Sequence, residues 1–134
     1  MPRRARCDDR GSAIVDFVLI LLVLLPLVIG ILQLALVLHV RNTLASAAAE
    51  GARHAAVVGS SPTAGRAKVE ELISGALSAD FVRTVTVRAD DVQGAAGYEA
   101  VVEAKIPVLG LGGPAISVRV VGHAIAEQQS AAQP

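Results

Sequence analysis

Residues 17–40 read FVLILLVLLPLVIGILQLALVLHV, a run dominated by Leu, Val and Ile without a single Lys, Arg, Asp or Glu. As an α-helix at about 1.5 Å per residue the stretch reaches roughly 36 Å, enough to cross about 30 Å of hydrocarbon with some tilt. Pro26 and Gly30 are the two positions where it can bend. The competing assignment is a buried core helix. In water a helix that is apolar on every face needs a large protein around it, and the rest of this 134-residue chain is too short to supply one.

The flanks of the run set its direction. Arg3, Arg4, Arg6 and Arg10 precede it, and clustered basic residues stay on the cytoplasmic side of a spanning helix. Arg41 and Arg53 follow it, but they open a longer segment that crosses largely regardless of charge. The N-terminus is therefore expected in the cytoplasm and the C-terminal part outside, a single-pass arrangement in the cell membrane. A cleaved secretory signal shares the basic start, and Ala45-Ser46-Ala47 offers an A-x-A-like site. Signal peptides, however, carry apolar regions of about 7–15 residues, well short of this run.

Composition narrows the function classes. Hydrophobic residues make up 53% of the chain and aromatic ones only 2%, so the apolar content is aliphatic and concentrated in one block. The formal net charge is zero. No basic field is present to hold a phosphate backbone, and no nucleic-acid partner is expected. Cys7, the single cysteine, precedes the run; the segment beyond it has no internal disulfide, and Cys7 is on the wrong side for a lipoprotein cysteine.

The junction before the run is Arg10-Gly11-Ser12-Ala13-Ile14-Val15-Asp16-Phe17. A basic tail meets the apolar helix through a glycine, a small residue and one carboxylate. A carboxylate near a helix start is favoured by the macrodipole by about 0.3–1 kcal/mol, so Asp16 is readable as a helix-start marker. The junction also resembles that of type IV prepilins, cut after the glycine on the cytoplasmic side. That resemblance implies Gly11 as the last leader residue, Ser12 as the new N-terminus, and Asp16 with Phe17 as residues for peptidase recognition or assembly. The usual glutamate at the fifth mature position is here Asp16, one methylene shorter. A carboxylate at the head of an apolar run asks for a partner, and the freed amine of Ser12 is one candidate.

Beyond the run, residues 41–57 read RNTLASAAAEGARHAAV. They resemble the R-x-x-L-x-x-A-A-x-E-G-A-R-x-A-A pattern of TadE-like proteins, and the likeness extends over residues 10–58. From the residues themselves, the segment continues the helix, since alanine is the best helix former, and Glu50 has Arg53 and His54 within reach on the following turn. Ala48, Ala52 and Ala56, with Gly51, give a small-residue ridge on which another helix can pack closely. The same spacing fits a plain alanine-rich stalk equally well.

Ser60-Ser61-Pro62-Thr63 breaks that helix and starts a second, amphipathic one, with Val69, Leu72, Ile73, Ala76 and Leu77 on its apolar face. After Phe81 the period becomes two. Arg83–Val92, Tyr98–Val108 and Ala115–Ala126 read as strands, with turns at Gln93–Gly97 and Gly110–Pro114 and a frayed tail from Glu127 to Pro134. The expected fold is α+β and pilin-like: a long N-terminal transmembrane helix continuing into a stalk, a short second helix and an antiparallel sheet of about three strands. The expected division is a leader at 1–11, membrane helix and stalk at 12–58, an extracytoplasmic domain at 59–127 and a tail at 128–134.

Nothing in this pattern points to catalysis. Gly110-Leu111-Gly112-Gly113-Pro114 lacks the Lys-Ser/Thr of a phosphate loop and opens into a strand. His39, His54 and His123 stand on different elements without metal-ligand spacing. No catalytic residue, cofactor or metal is expected. The TadE-like resemblance implies a minor pilin or pseudopilin of a tight-adherence pilus or related secretion assembly. Its implied partners are other pilin-like subunits, a prepilin peptidase, the inner-membrane assembly machinery and the lipid bilayer. Two alternatives stay open, an uncleaved membrane-anchored protein with an extracytoplasmic binding module and a secreted form released after Ala47.

Overall fold

A computed structural model describes residues 9–57, 60–78, 81–108 and 115–126. The basic tail before residue 9, Cys7, the Gly110–Pro114 turn and the tail from Glu127 lie outside the described residues. The elements run α1 (Asp9–Ala56), α2 (Pro62–Ala76), β1 (Val82–Val92), β2 (Ala95–Ile106) and β3 (Ile116–Ile125). This is the expected α+β architecture. The chain divides into two compact units, Met1–Ala35 and Leu36–Pro134, each described by itself below.

The described part of the first unit is helix throughout. α1 carries Pro26 in its interior, which removes one backbone N–H and leaves the Leu22 carbonyl without its usual partner four residues on. Membrane helices tolerate such a break. The large apolar side chains from Ile14 to Leu34 stand exposed around the helix, Phe17 at 64% and Leu22 at 70%. No soluble core covers them. Among the described residues α1 is the one helix long and apolar enough to cross a membrane.

In the second unit the last five turns of α1 form one wall of the core. Val40, Leu44, Ala47, Ala48, Ala52, Ala55 and Ala56 are buried along one stripe, with Gly51 among them, the spacing of a helix that buries a single face. Arg41, Glu50, Arg53 and His54 are exposed. The ion pair expected from Glu50 to Arg53 or His54 is not formed; the ion pairs of the described residues lie on α2 and the sheet.

α2 begins as its sequence dictates. Ser61 is extended and caps the helix, its Oγ accepting from the Ala64 N–H at 3.2 Å, and Pro62 fills the first turn, where an N–H has no partner to lose. The helix ends where the Leu77 N–H donates to the Ile73 carbonyl at 2.8 Å. Val69 and Ile73 are buried, and Leu72 and Leu77 pack beside them. Leu77 is the C-cap residue, one place beyond the helix in which its spacing had put it. Arg66–Glu70 and Lys68–Glu71 pair along the exposed side at 2.8 and 3.1 Å, worth a few tenths of a kcal/mol each on such a surface.

The sheet is a meander in the order β1-β2-β3, antiparallel throughout. Ala100, Val102, Ala104 and Ile106 of β2 face the helices and join Val85, Val120 and the α1 stripe in one core. The β1–β2 turn is shorter than its sequence suggests. Gln93 and Gly94 alone form it, at φ 57° and 83°, the pairing of left-handed residues that suits the twist of a two-residue hairpin. The Asp91 carboxylate accepts from the Gly94 N–H at 2.7 Å. Ala95, Ala96 and Gly97 therefore belong to β2 and not to a loop.

Candidate functional site

Gly11 and Ser12 lie in the first described turns of α1, both helical and exposed. A Cβ on Gly11 would meet nothing within 4 Å, so nothing in this conformation requires a glycine there. Asp16 follows Ser12 by four residues, hence on the same side of the helix about 6 Å along the axis. It is exposed and makes no hydrogen bond or ion pair among the described residues. Phe17, next to it, is exposed as well. The four junction residues thus form a short segment in which a lone carboxylate precedes an uncovered apolar surface.

Ala48, Gly51, Ala52 and Ala56 are all buried, and the chain itself covers them. Gly51 sits against α2: a Cβ built on it would overlap the Val69 side chain and stand 3.0 Å from the Gly65 carbonyl oxygen. Reciprocally, a Cβ on Gly65 would stand 2.7 Å from both the Ala55 Cβ and the Gly51 carbonyl oxygen. Two glycines let the helix backbones meet at this crossing. Ala48 faces the sheet, where Gly122 of β3 leaves room for its backbone. Spacing along α1 identified the ridge, but Gly65 and Gly122 carried no signal in the sequence that they would be its counterparts.

The outer face of the sheet carries a second constellation that sequence reading missed. Glu99 is 7% exposed, although it lies on the side away from the helices. Arg88, its cross-strand neighbour, holds it by two hydrogen bonds to one carboxylate oxygen, from Nε at 2.8 Å and Nη2 at 2.6 Å. Hydrogen bonding to Glu99, and then its charge, raise the Arg88 pKa above the ordinary guanidinium range. The alternation of β2 puts Glu99 on the outer face, but alternation says nothing about how far a side chain is covered there. His123 lies opposite Glu99 on β3, while His39 and His54 lie on the exposed face of α1. No group of three or more His, Cys, Asp or Glu is gathered among the described residues.

The model of the TadE-like protein family matches residues 11–53. The match opens at Gly11, takes in Asp16, the apolar run and most of the buried ridge, and stops before α2. It bears out the TadE-like resemblance drawn from residues 41–57. No curated protein and no solved structure shows a significant match to the chain.

Proposed function

We propose that this TadE-like chain is a minor pilin-like or pseudopilin-like component of a tight-adherence pilus or related secretion assembly. Its role is structural and not enzymatic. α1 holds it in the cell membrane with the N-terminus cytoplasmic and residues from 36 onward outside. A prepilin peptidase cuts between Gly11 and Ser12 and removes the leader at 1–11. The mature chain then packs through α1 with other pilin-like subunits and the inner-membrane assembly machinery.

The observation that carries the reading is Asp16, an exposed, unpartnered carboxylate at the head of an uncovered apolar helix, inside the family match. In lipid such a group needs a partner. After cleavage the Ser12 amine of the same or a neighbouring subunit supplies one. Desolvation takes back much of the gain from such a pair, so its role is to set the register between packed helices more than to add stability. Length supports membrane residence too. Even without the residues that pack in the folded unit, Phe17–Ala35 spans about 28 Å, close to the hydrocarbon thickness.

Release after Ala47 is disfavoured by the core. Val40, Leu44 and Ala47 are 0%, 0% and 3% exposed, so that cleavage would strip one wall from the folded unit. The uncleaved anchor is the second reading, favoured by one observation, the helical Gly11 with open space where a Cβ would stand. The two separate on Asp16. Asp16→Ala and Asp16→Asn are expected to insert in the membrane but to lose co-purification with the other pilus subunits and surface fibres, while Asp16→Glu assembles. Normal assembly by Asp16→Ala would leave the anchor reading the better one.

A further inference from the structure

Among the described residues β3 is an edge strand, since the sheet runs β1-β2-β3. The Ala126 N–H donates to the Ala96 carbonyl at 2.9 Å, and the register runs on from Gly97 opposite Ile125 to Ile106 opposite Ile116. Bonded and unbonded pairs alternate in an antiparallel ladder. The even-numbered residues of β3 therefore bond to β2, and the backbone N–H and C=O groups of Ser117, Arg119, Val121, His123 and Ile125 point away from the sheet. No backbone hydrogen bond among the described residues takes these groups up. Natural edges are blunted by bulges, proline or short length. β1, the other edge, has a register shift between Val82 and Thr84 and passes through Asp90 and Asp91 before its turn. β3 keeps its register along its whole length and holds no proline, and its Val121 and Ile125 are 41% and 55% exposed.

We propose that the free edge of β3 takes an extended segment of another protein as a fourth strand, one with a carboxylate opposite Arg119 and aliphatic side chains beside Val121 and Ile125. Backbone groups supply the pairing and side chains the selection. β3 contains no Asp or Glu. The Arg119 side chain is 63% exposed and reaches Glu103 only at 4.0 Å. On β2 behind it, Glu99 is taken by Arg88, and Lys105 makes no ion pair among the described residues. Arg88, Lys105 and Arg119 thus stand against Glu99 and Glu103 on this part of the outer face. Opposite charges directly across a strand pair attract and like charges repel, so charge complementarity favours an acidic strand. A second copy offers β3, which has no carboxylate, or β1, whose edge is broken by its register shift. Neither membrane anchoring nor processing at Gly11 is needed for this pairing.

Peptide binding is read by fluorescence anisotropy on the full chain in detergent micelles, with empty micelles as the blank. The probe is a labelled ten-residue peptide of valine and threonine with one glutamate. One control carries lysine in place of the glutamate. Another is N-methylated at the glutamate amide and every second amide from it, the set that faces β3 in an antiparallel pair. The glutamate peptide should bind at least about threefold more tightly than the lysine peptide, and N-methylation should weaken binding at least about tenfold. Arg119→Glu should reverse the order of the two peptides. Val121→Pro removes an outward donor that the β2–β3 ladder does not use, and should abolish binding with the circular dichroism unchanged. Should that variant unfold, the N-methylated peptide still decides. Binding indifferent to N-methylation or to the charge of the peptide would overturn the proposal. A dimer of the chain that Val121→Pro dissolves would overturn it too, by making a second copy the occupant, as would binding that appears only after residues 127–134 are removed.

Discussion

Gly122 of β3 lies directly against the backbone of Ala48: a Cβ on Gly122 would stand 2.5 Å from the Ala48 carbonyl carbon and 2.6 Å from its oxygen. Neither atom belongs to a side chain that could swing aside, so the strand and helix would have to separate. Overpacking of this kind costs about 1–3 kcal/mol. Gly122→Ala should therefore lower the thermal midpoint of the second unit, measured by circular dichroism in detergent. Gly75 provides the contrast. It is helical, exposed and has nothing within 4 Å of a Cβ, so Gly75→Ala should raise stability by about 0.5–1 kcal/mol. The opposite ranking of the two variants would mean that the α1–β3 contact is looser than described.

The stalk is a structural part of what it carries. Leu44 is fully buried and belongs to the same core as Val69, Val102 and Ile106. Leu44→Ala should cost about 2–5 kcal/mol, as expected for a large side chain removed from a packed core. A fragment from Leu36 onward should give cooperative melting with mixed helix and strand signals, and one from Ser60 onward should not. Equal folding by both fragments would show that the α1 stripe is dispensable.

The Arg88–Glu99 pair predicts a flat pH response. Arg88 titrates above its ordinary range because Glu99 holds the charged form. A cation with a raised folded-state pKa contributes fully below its unfolded pKa and loses that contribution as pH rises through the folded value. That window lies above the neutral range. Arg88→Gln should therefore lower the midpoint by the same amount at every pH from about 6 to 9. A loss that grows or vanishes within this interval would indicate that another titrating group governs the face.

Much of this fold was written locally in the chain. The run from Phe17 to Val40 is apolar on every face, although its last residues, Leu36, Val37 and Val40, pack in the core of the second unit; Ser61-Pro62 is a start signal whose hydrogen bond the structure shows; and Tyr98 to Ile106 alternates cleanly. Chain propensity misled at Ala95-Ala96-Gly97, where small residues read as loop. Gly97 is in β2 because its neighbours leave no room for a side chain: a Cβ would stand 2.5 Å from the Ala124 carbonyl oxygen and 2.8 Å from Val92 Cγ2. That crowding comes from two other strands and has no local signature. The same holds for the ridge on α1. Spacing in the sequence marks Ala48, Gly51, Ala52 and Ala56 as small, whereas the identity of what covers them depends on Gly65 and Gly122, many residues away. At the junction the sequence motif carries nearly everything, because Gly11, Ser12 and Asp16 are exposed and touch no other element.

The most direct test of the processing model is the intact mass and N-terminal sequence of the protein recovered from membranes of cells that contain a prepilin peptidase. The expected mature chain begins at Ser12, and Gly11 replaced by a bulky residue leaves the full-length form to accumulate. A wild-type chain that still begins at Met1 under those conditions would contradict the account.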